Sequence, residues 1–148
     1  MPHRTILAVC LLLAGSLTGC SSDTDQYCGT LKQDQARLKQ LVSASGRSGT
    51  DVLPDTLAMF KDLRDKSPED IRDEWDTMVF SWQTLAGAFR TAGVDPAHYR
   101  PGATQGVTHE QDQAIQQAAA ELGSMRVLDA SRGIEQQAHD ICHVDLGL

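Results

Sequence analysis

His139 and His143 stand four residues apart near the C-terminal end of a 148-residue chain. On a helix that spacing places two imidazoles on one face, within reach of a shared metal ion. Two neutral nitrogens fill half of a tetrahedral zinc shell, so another element would have to supply the remaining ligands. Asp140 and Asp145 are near in sequence, and His98 and His109 flank a loop further upstream, but no spacing ties them to the pair. The simpler reading is two solvated histidines near a helix C-terminus, where positive charge is favoured. No metal or other cofactor is therefore expected. Trp75, Trp82 and Phe89 recur at intervals of seven residues and are the candidates for an apolar ligand pocket. A stripe at that spacing is more simply core, with each indole N–H finding a partner. Adjacent carboxylates such as Asp73 and Glu74 point to different sides of a helix and make a poor acid–base pair. The chain has no Gly-x-Ser-x-Gly elbow, no serine, histidine and acid spaced as a triad, and no glycine-rich phosphate loop. A protein without catalytic activity is expected.

The first twenty residues carry a different chemistry. Arg4 supplies a positive charge, Ile6–Ala14 is an apolar run, and small residues lead to Leu17-Thr18-Gly19-Cys20. A charged start, an apolar run of about 7–15 residues and a small-residue cleavage site make a secretory signal. The run is too short for a bilayer, which needs about 20 apolar residues. Its last four residues resemble the lipobox of bacterial lipoproteins. That resemblance implies a diacylglycerol thioether on Cys20 and cleavage just before it. Two acyl chains hold a protein stably, where a single chain binds only marginally. The expected organisation is a signal peptide over residues 1–19, a lipidated Cys20 with a short tether to residue 27, and one domain over residues 28–148. The expected location is the extracytoplasmic face of the cell membrane, reached through the lipid anchor.

Of four cysteines, Cys10 leaves with the signal and Cys20 takes the lipid, so Cys28 and Cys142 remain. In an oxidising compartment two such thiols pair. Reactive or metal-binding thiols are the alternative, but neither cysteine sits in a Cys-x-x-Cys motif. All 20 acidic residues follow Cys20, as do all the basic residues but Arg4, so that segment is more acidic than the chain's formal −7. Such a surface lacks the Lys/Arg clusters that neutralise phosphates, so no nucleic-acid partner is expected. Nor would it adhere to anionic lipid, which leaves the anchor alone to hold the protein. The seven residues from Cys20 to Cys28 reach at most about 25–30 Å when extended, so the domain stays near the membrane.

The elements that must position these residues are helices. Cys28, Leu31, Gln35, Leu38 and Val42 repeat at 3–4 spacing and predict a helix from about Thr24 to Val42, with Cys28 on the edge of its buried face. Ser43–Thr50 reads as a loop, and a shorter helix follows Pro54 with Leu53, Leu57, Phe60 and Leu63 inward. The third is signalled by Ser67 as N-cap, Pro68 at the first position and Glu69 and Asp70 at the positive end of the dipole. Its inward positions are Ile71, Trp75, Met78, Trp82, Leu85 and Phe89, and Gly93 and Pro96 stop it. After a long loop over Asp95–Val107, Thr108 and Gln111 form a capping box for a helix burying Ile115, Ala118, Ala119 and Leu122. Ser124 caps the last helix, whose stripe is Val127, Ser131, Ile134, Ala138 and Ile141, with Cys142 beside it. The fold class is all-α: a small bundle of four to five helices closed by a Cys28–Cys142 disulfide between the N- and C-terminal helices. Since those two ends must meet, five helices cannot all be full-length antiparallel rods. Either the Pro54–Lys66 or the Thr108–Leu122 helix must cross obliquely or stack on a neighbour.

Four segments are characteristic in combination: Tyr27-Cys28, Ile71-Arg72-Asp73-Glu74-Trp75, Ala92-Gly93-Val94-Asp95-Pro96, and Gly133-Ile134-Glu135-Gln136-Gln137-Ala138 followed by Cys142. Together they resemble small lipoproteins of high-GC Gram-positive bacteria, the actinobacteria, a group without an established activity. The resemblance implies an envelope protein with two framework cysteines and assigns no site residue. The expected function is a membrane-anchored, non-catalytic binding or interaction module of the cell envelope, with an envelope protein or cell-wall polymer as partner. The alternative is a carrier or sensor of a small apolar ligand or metal ion.

Overall fold

The computed structural model describes residues 20–44 and 52–148, and every regular element among them is helical. The fold is all-α, with five helices and a Cys28–Cys142 disulfide closing the bundle. The expected signal peptide and most of the expected Ser43–Thr50 loop lie outside the described residues.

The first helix, α1, spans Cys20–Ala44. It starts four residues before the expected Thr24, so residues 20–27, expected as a tether, are helical. Asp23 suits the positive end of the dipole, and Tyr27, fully buried, fixes the turn that follows. Tyr27, Leu31, Leu38 and Leu41 form the buried stripe with Cys28 at its edge, while Gln35 is half-buried. The side chain of Val42 lies outside the described ones. α2 (Leu53–Lys66) has Pro54 in its first turn and buries Leu53, Thr56, Met59, Phe60 and Leu63, with Leu57 only half-buried.

Ser67 does not cap the next helix. Its hydroxyl donates to the Arg64 carbonyl at 2.7 Å, so it closes α2. The chain then passes through a 3-10 turn, Glu69–Ile71, that no side chain caps, into α3 (Arg72–Ala92). The inward stripe of α3 is as expected, with Trp82 half-buried. Its end is a Schellman motif: Gly93 takes φ 66°, its N–H reaches the Arg90 carbonyl, and the Val94 N–H reaches that of Phe89.

A 3-10 turn, Pro96–His98, leads to α4 (His109–Glu121), which opens on the complete Thr108–Gln111 capping box. Ile115 and Ala118 are buried but Ala119 is exposed, because α4 packs chiefly on α3 and turns a narrow strip inward. α5 (Met125–Gln137) is capped by the Ser124 hydroxyl, which accepts from Val127 N–H. It ends in a π-turn, Ala138–Cys142. The wider turn advances the inward position by one residue. Ile141, expected inward, is therefore 53% exposed, and Cys142 takes its place at 1%.

α3 packs against α2, α4 and α5. Near one end of α3, Gln111 donates to the Thr91 carbonyl; further back Arg126 lies over the Phe80 ring, and Gly133 approaches Glu74. So α4 and α5 follow one another along α3, sharing the fourth traverse of the bundle. This is the stacking that the disulfide demands of five helices. α1, α2, α3 and α5 build the main core, and α4 covers a smaller one around Leu85, Phe89 and Ile115.

Two buried bonds fasten α1 to the core. Cys28 and Cys142 have Cα atoms 5.0 Å apart, 114 residues distant in sequence. The Trp75 indole N–H donates to the Tyr27 hydroxyl at 2.9 Å, both side chains being fully buried. Burial pushes the Tyr27 hydroxyl up to about 12, so it remains a neutral partner. Beyond Cys142 the chain reverses at His143, in the left-handed region with φ 56°, and returns across the core. Val144 and Leu146 are buried there, Gln35 donates to the Asp145 carbonyl, and Glu135 accepts from Gly147 N–H. In the 95–107 loop the Asp112 carboxylate accepts from Tyr99 (2.7 Å), the Gly102 N–H (2.9 Å) and Gln116 (2.6 Å). The Gly102 bond foremost, then that of Tyr99, holds its carboxyl below the usual aspartate range.

Cys28→Ser is expected to cost about 4–5 kcal/mol and lower the thermal midpoint by on the order of 10–15 °C. An unchanged midpoint in calorimetry would mean that the cystine carries no stability. Asp112 stabilises the fold as an anion, and its pKa is lowered on folding, so that contribution is present above the ordinary aspartate value and lost as pH falls through the folded one. Asp112→Asn should therefore speed hydrogen exchange at the Gly102 amide near neutral pH. The gap between variant and native chain should close as pH falls below the ordinary aspartate range and the folded carboxylate takes up its proton.

Candidate functional site

The chemistry-bearing residues separate in space. Seven residues of helix advance about 10.5 Å, so Trp75, Trp82 and Phe89 span about 21 Å and meet different neighbours. Trp75 is sealed against Tyr27, and Phe89 packs edge-on to Tyr99 in the smaller core, with centroids 5.3 Å apart. Trp82 lines a cavity whose lining includes neither Trp75 nor Phe89, so the three do not share that pocket.

His139 and His143 both lie near the Asp140 carboxylate. The π-turn and the left-handed backbone at His143 break the regular helix spacing on which their pairing rests. Both are exposed, and His139 Nδ1 lies 2.9 Å from Asp140 Oδ1, a bond that raises the imidazole above its usual value. Among the described residues no group of three or more His, Cys, Asp or Glu side chains is placed to hold a metal ion. His98 pairs with Asp95 and His109 begins α4, both on the surface.

The cavity that Trp82 reaches opens between α2, α3 and α5, with a volume of about 140 Å³. α2 supplies Thr56 and Phe60, and α3 supplies Met78 and Trp82. Leu122, Val127, Leu128 and Ser131 form the far side, and Leu148 of the returning tail completes it. Phe60 stands edge-on to Trp75 and to Trp82, with centroids 5.6 Å apart in each case. No charged side chain contributes to the lining. Leu128 is 40% exposed, and Met125, three residues before it on α5, is 65% exposed, so apolar surface continues outward from the lining.

Thr56 is the unusual member. It is 1% exposed, and its hydroxyl has no hydrogen-bond partner. Helical Ser and Thr commonly satisfy the hydroxyl on the carbonyl four residues back. Thr30, Thr77, Ser81 and Thr84 all do so, to Gln26, Asp73, Thr77 and Phe80. At Thr56 the carbonyl four back, that of Val52, accepts only the backbone N–H. A buried hydroxyl left unpaired costs about 1–3 kcal/mol. The sequence did hold a signal, because Thr56 shares the 3–4 spacing of Leu53, Phe60 and Leu63 and so had to face inward.

No family model, curated protein or solved structure matches this chain.

Replacing the unpaired hydroxyl by a methyl of the same shape should stabilise the protein. Thr56→Val is expected to raise unfolding stability by about 1–2 kcal/mol in denaturant titration. A loss of stability would show that the hydroxyl is satisfied in solution.

Proposed function

We propose that the chain is an exported lipoprotein, held on the outer face of the cell membrane by lipid on Cys20, whose helical domain works by binding rather than catalysis. The anchor rests on the charged start, the apolar run and Leu17-Thr18-Gly19-Cys20. No described helix is long and apolar enough to cross a membrane. Since α1 begins at Cys20, the lipid would sit on the first residue of a helix. From Cys20 to Tyr27 helical rise gives about 10 Å, well below the extended reach, so the core would sit close against the bilayer surface.

The observation that carries the binding role is the neutral apolar cavity, open beside the exposed side chains of Leu128 and Met125. Apolar surface left outside a small core marks a place where something else is meant to pack. Elsewhere on the described surface, exposed pairs such as Arg37–Asp55, Lys66–Asp62 and Arg132–Asp129 add little stability.

Cys20→Ala is expected to move the protein from the membrane fraction to the soluble exported fraction and to abolish incorporation of radiolabelled palmitate. Retention of the variant in washed membranes would overturn the anchor.

A further inference from the structure

We propose that the cavity between α2, α3 and α5 is the binding site for a neutral, single-ring aromatic molecule bearing one hydroxyl, with Thr56 as its hydrogen-bond partner. This rests on the binding role proposed above and names its ligand class.

Size sets the first limit. An apolar cavity of about 150 Å³ accepts a benzene-sized molecule, and this one measures about 140 Å³. The absence of charged side chains from the lining sets the second, because an anion would lose its hydration there without a cationic partner. Ring chemistry follows from Phe60, Trp82 and Met78. Phe60 and Trp82 already meet edge-to-face at 85°, an arrangement that a third ring extends. A thioether sulfur is a favourable neighbour for a ring edge.

The hydroxyl follows from Thr56. A threonine in a helix divides between two rotamers, so its Oγ1 can turn to a partner offered from the cavity it lines. Thr56 then both donates and accepts, which a ligand hydroxyl matches and a plain hydrocarbon does not. The cost of the unpaired group in the empty site is recovered on binding. Access lies past Leu128, Ser131 and Leu148, which are exposed or half-exposed.

The test titrates phenol and toluene into the mature lipidated chain in lipid nanodiscs, followed by tryptophan emission against empty nanodiscs. Phenol is expected to bind about tenfold more tightly than toluene, the worth of one hydrogen bond. Thr56→Val should erase that preference while leaving toluene binding unchanged. Ser131→Phe, which fills the cavity from its rim, should abolish both, with a thermal midpoint no lower than that of the native chain. If phenol and toluene bind equally and Thr56→Val alters neither, the hydroxyl assignment is overturned while the cavity stands as a binding site. If neither binds at about 5 mM, above the roughly millimolar Kd of a ring-sized ligand, the cavity is a packing gap and both readings fall.

Discussion

The joining of Cys28 to Cys142 is the constraint from which the rest of the architecture follows. It brings the early part of α1 to the end of α5, so the intervening helices must return the chain to where it began. Five equal rods cannot do this, and α4 and α5 instead follow one another along α3. The bond also requires Cys142 to face the core, which the π-turn at Ala138–Cys142 achieves by adding a residue to the last turn. From there the left-handed backbone at His143 sends the tail back across α1 and α5, and Leu148 comes to line the cavity. The covalent framework and the candidate site are thus linked through six residues of chain.

Much of this was legible because helix signals are local. The stripe of α3, its glycine stop and the caps at Thr108 and Ser124 depend on residues a few positions apart, and all of them hold. What escaped depends on partners distant in sequence. Ser67 has the composition of an N-cap, yet its hydroxyl finds the Arg64 carbonyl first and ends α2 instead. Ile141 fits a 3.6-residue period, but the disulfide and the π-turn carry Cys142 inward in its place. Tyr27 reads as the edge of a polar tether until Trp75, 48 residues on, supplies the donor that justifies burying it. The buried tail at Val144 and Leu146 has no periodicity to announce it.

The candidate site was harder to read for the same reason. Its lining comes from α2, α3, α5, the α4–α5 junction and the tail, so no single stripe displays it. The heptad of Trp75, Trp82 and Phe89 pointed to one wall and distributed its members among three environments. The i, i+4 histidines promised a metal pair on an ideal helix, and the helix is not ideal where they stand. Thr56 was the residue to notice, a hydroxyl on the apolar stripe of a short helix. Thr30, Thr77, Ser81 and Thr84 back-bond to carbonyls of their own helices, whereas leaving the buried Thr56 hydroxyl unpaired costs stability, and a ligand gives that cost a physical reason.

With the proposed lipid at Cys20 and the proposed ligand in the cavity, the domain would be held beside a bilayer and would take up uncharged molecules. The most direct test is native mass spectrometry of the chain purified from the membranes of cells that export it, compared with the same sample after denaturation. The denatured mass is expected to match an oxidised chain beginning at a lipidated Cys20, and the native mass, with phenol added at about 5 mM, to exceed it by one phenol that unfolding releases. Equal native and denatured masses would contradict the binding role, and a chain still beginning at Met1 would contradict the anchor.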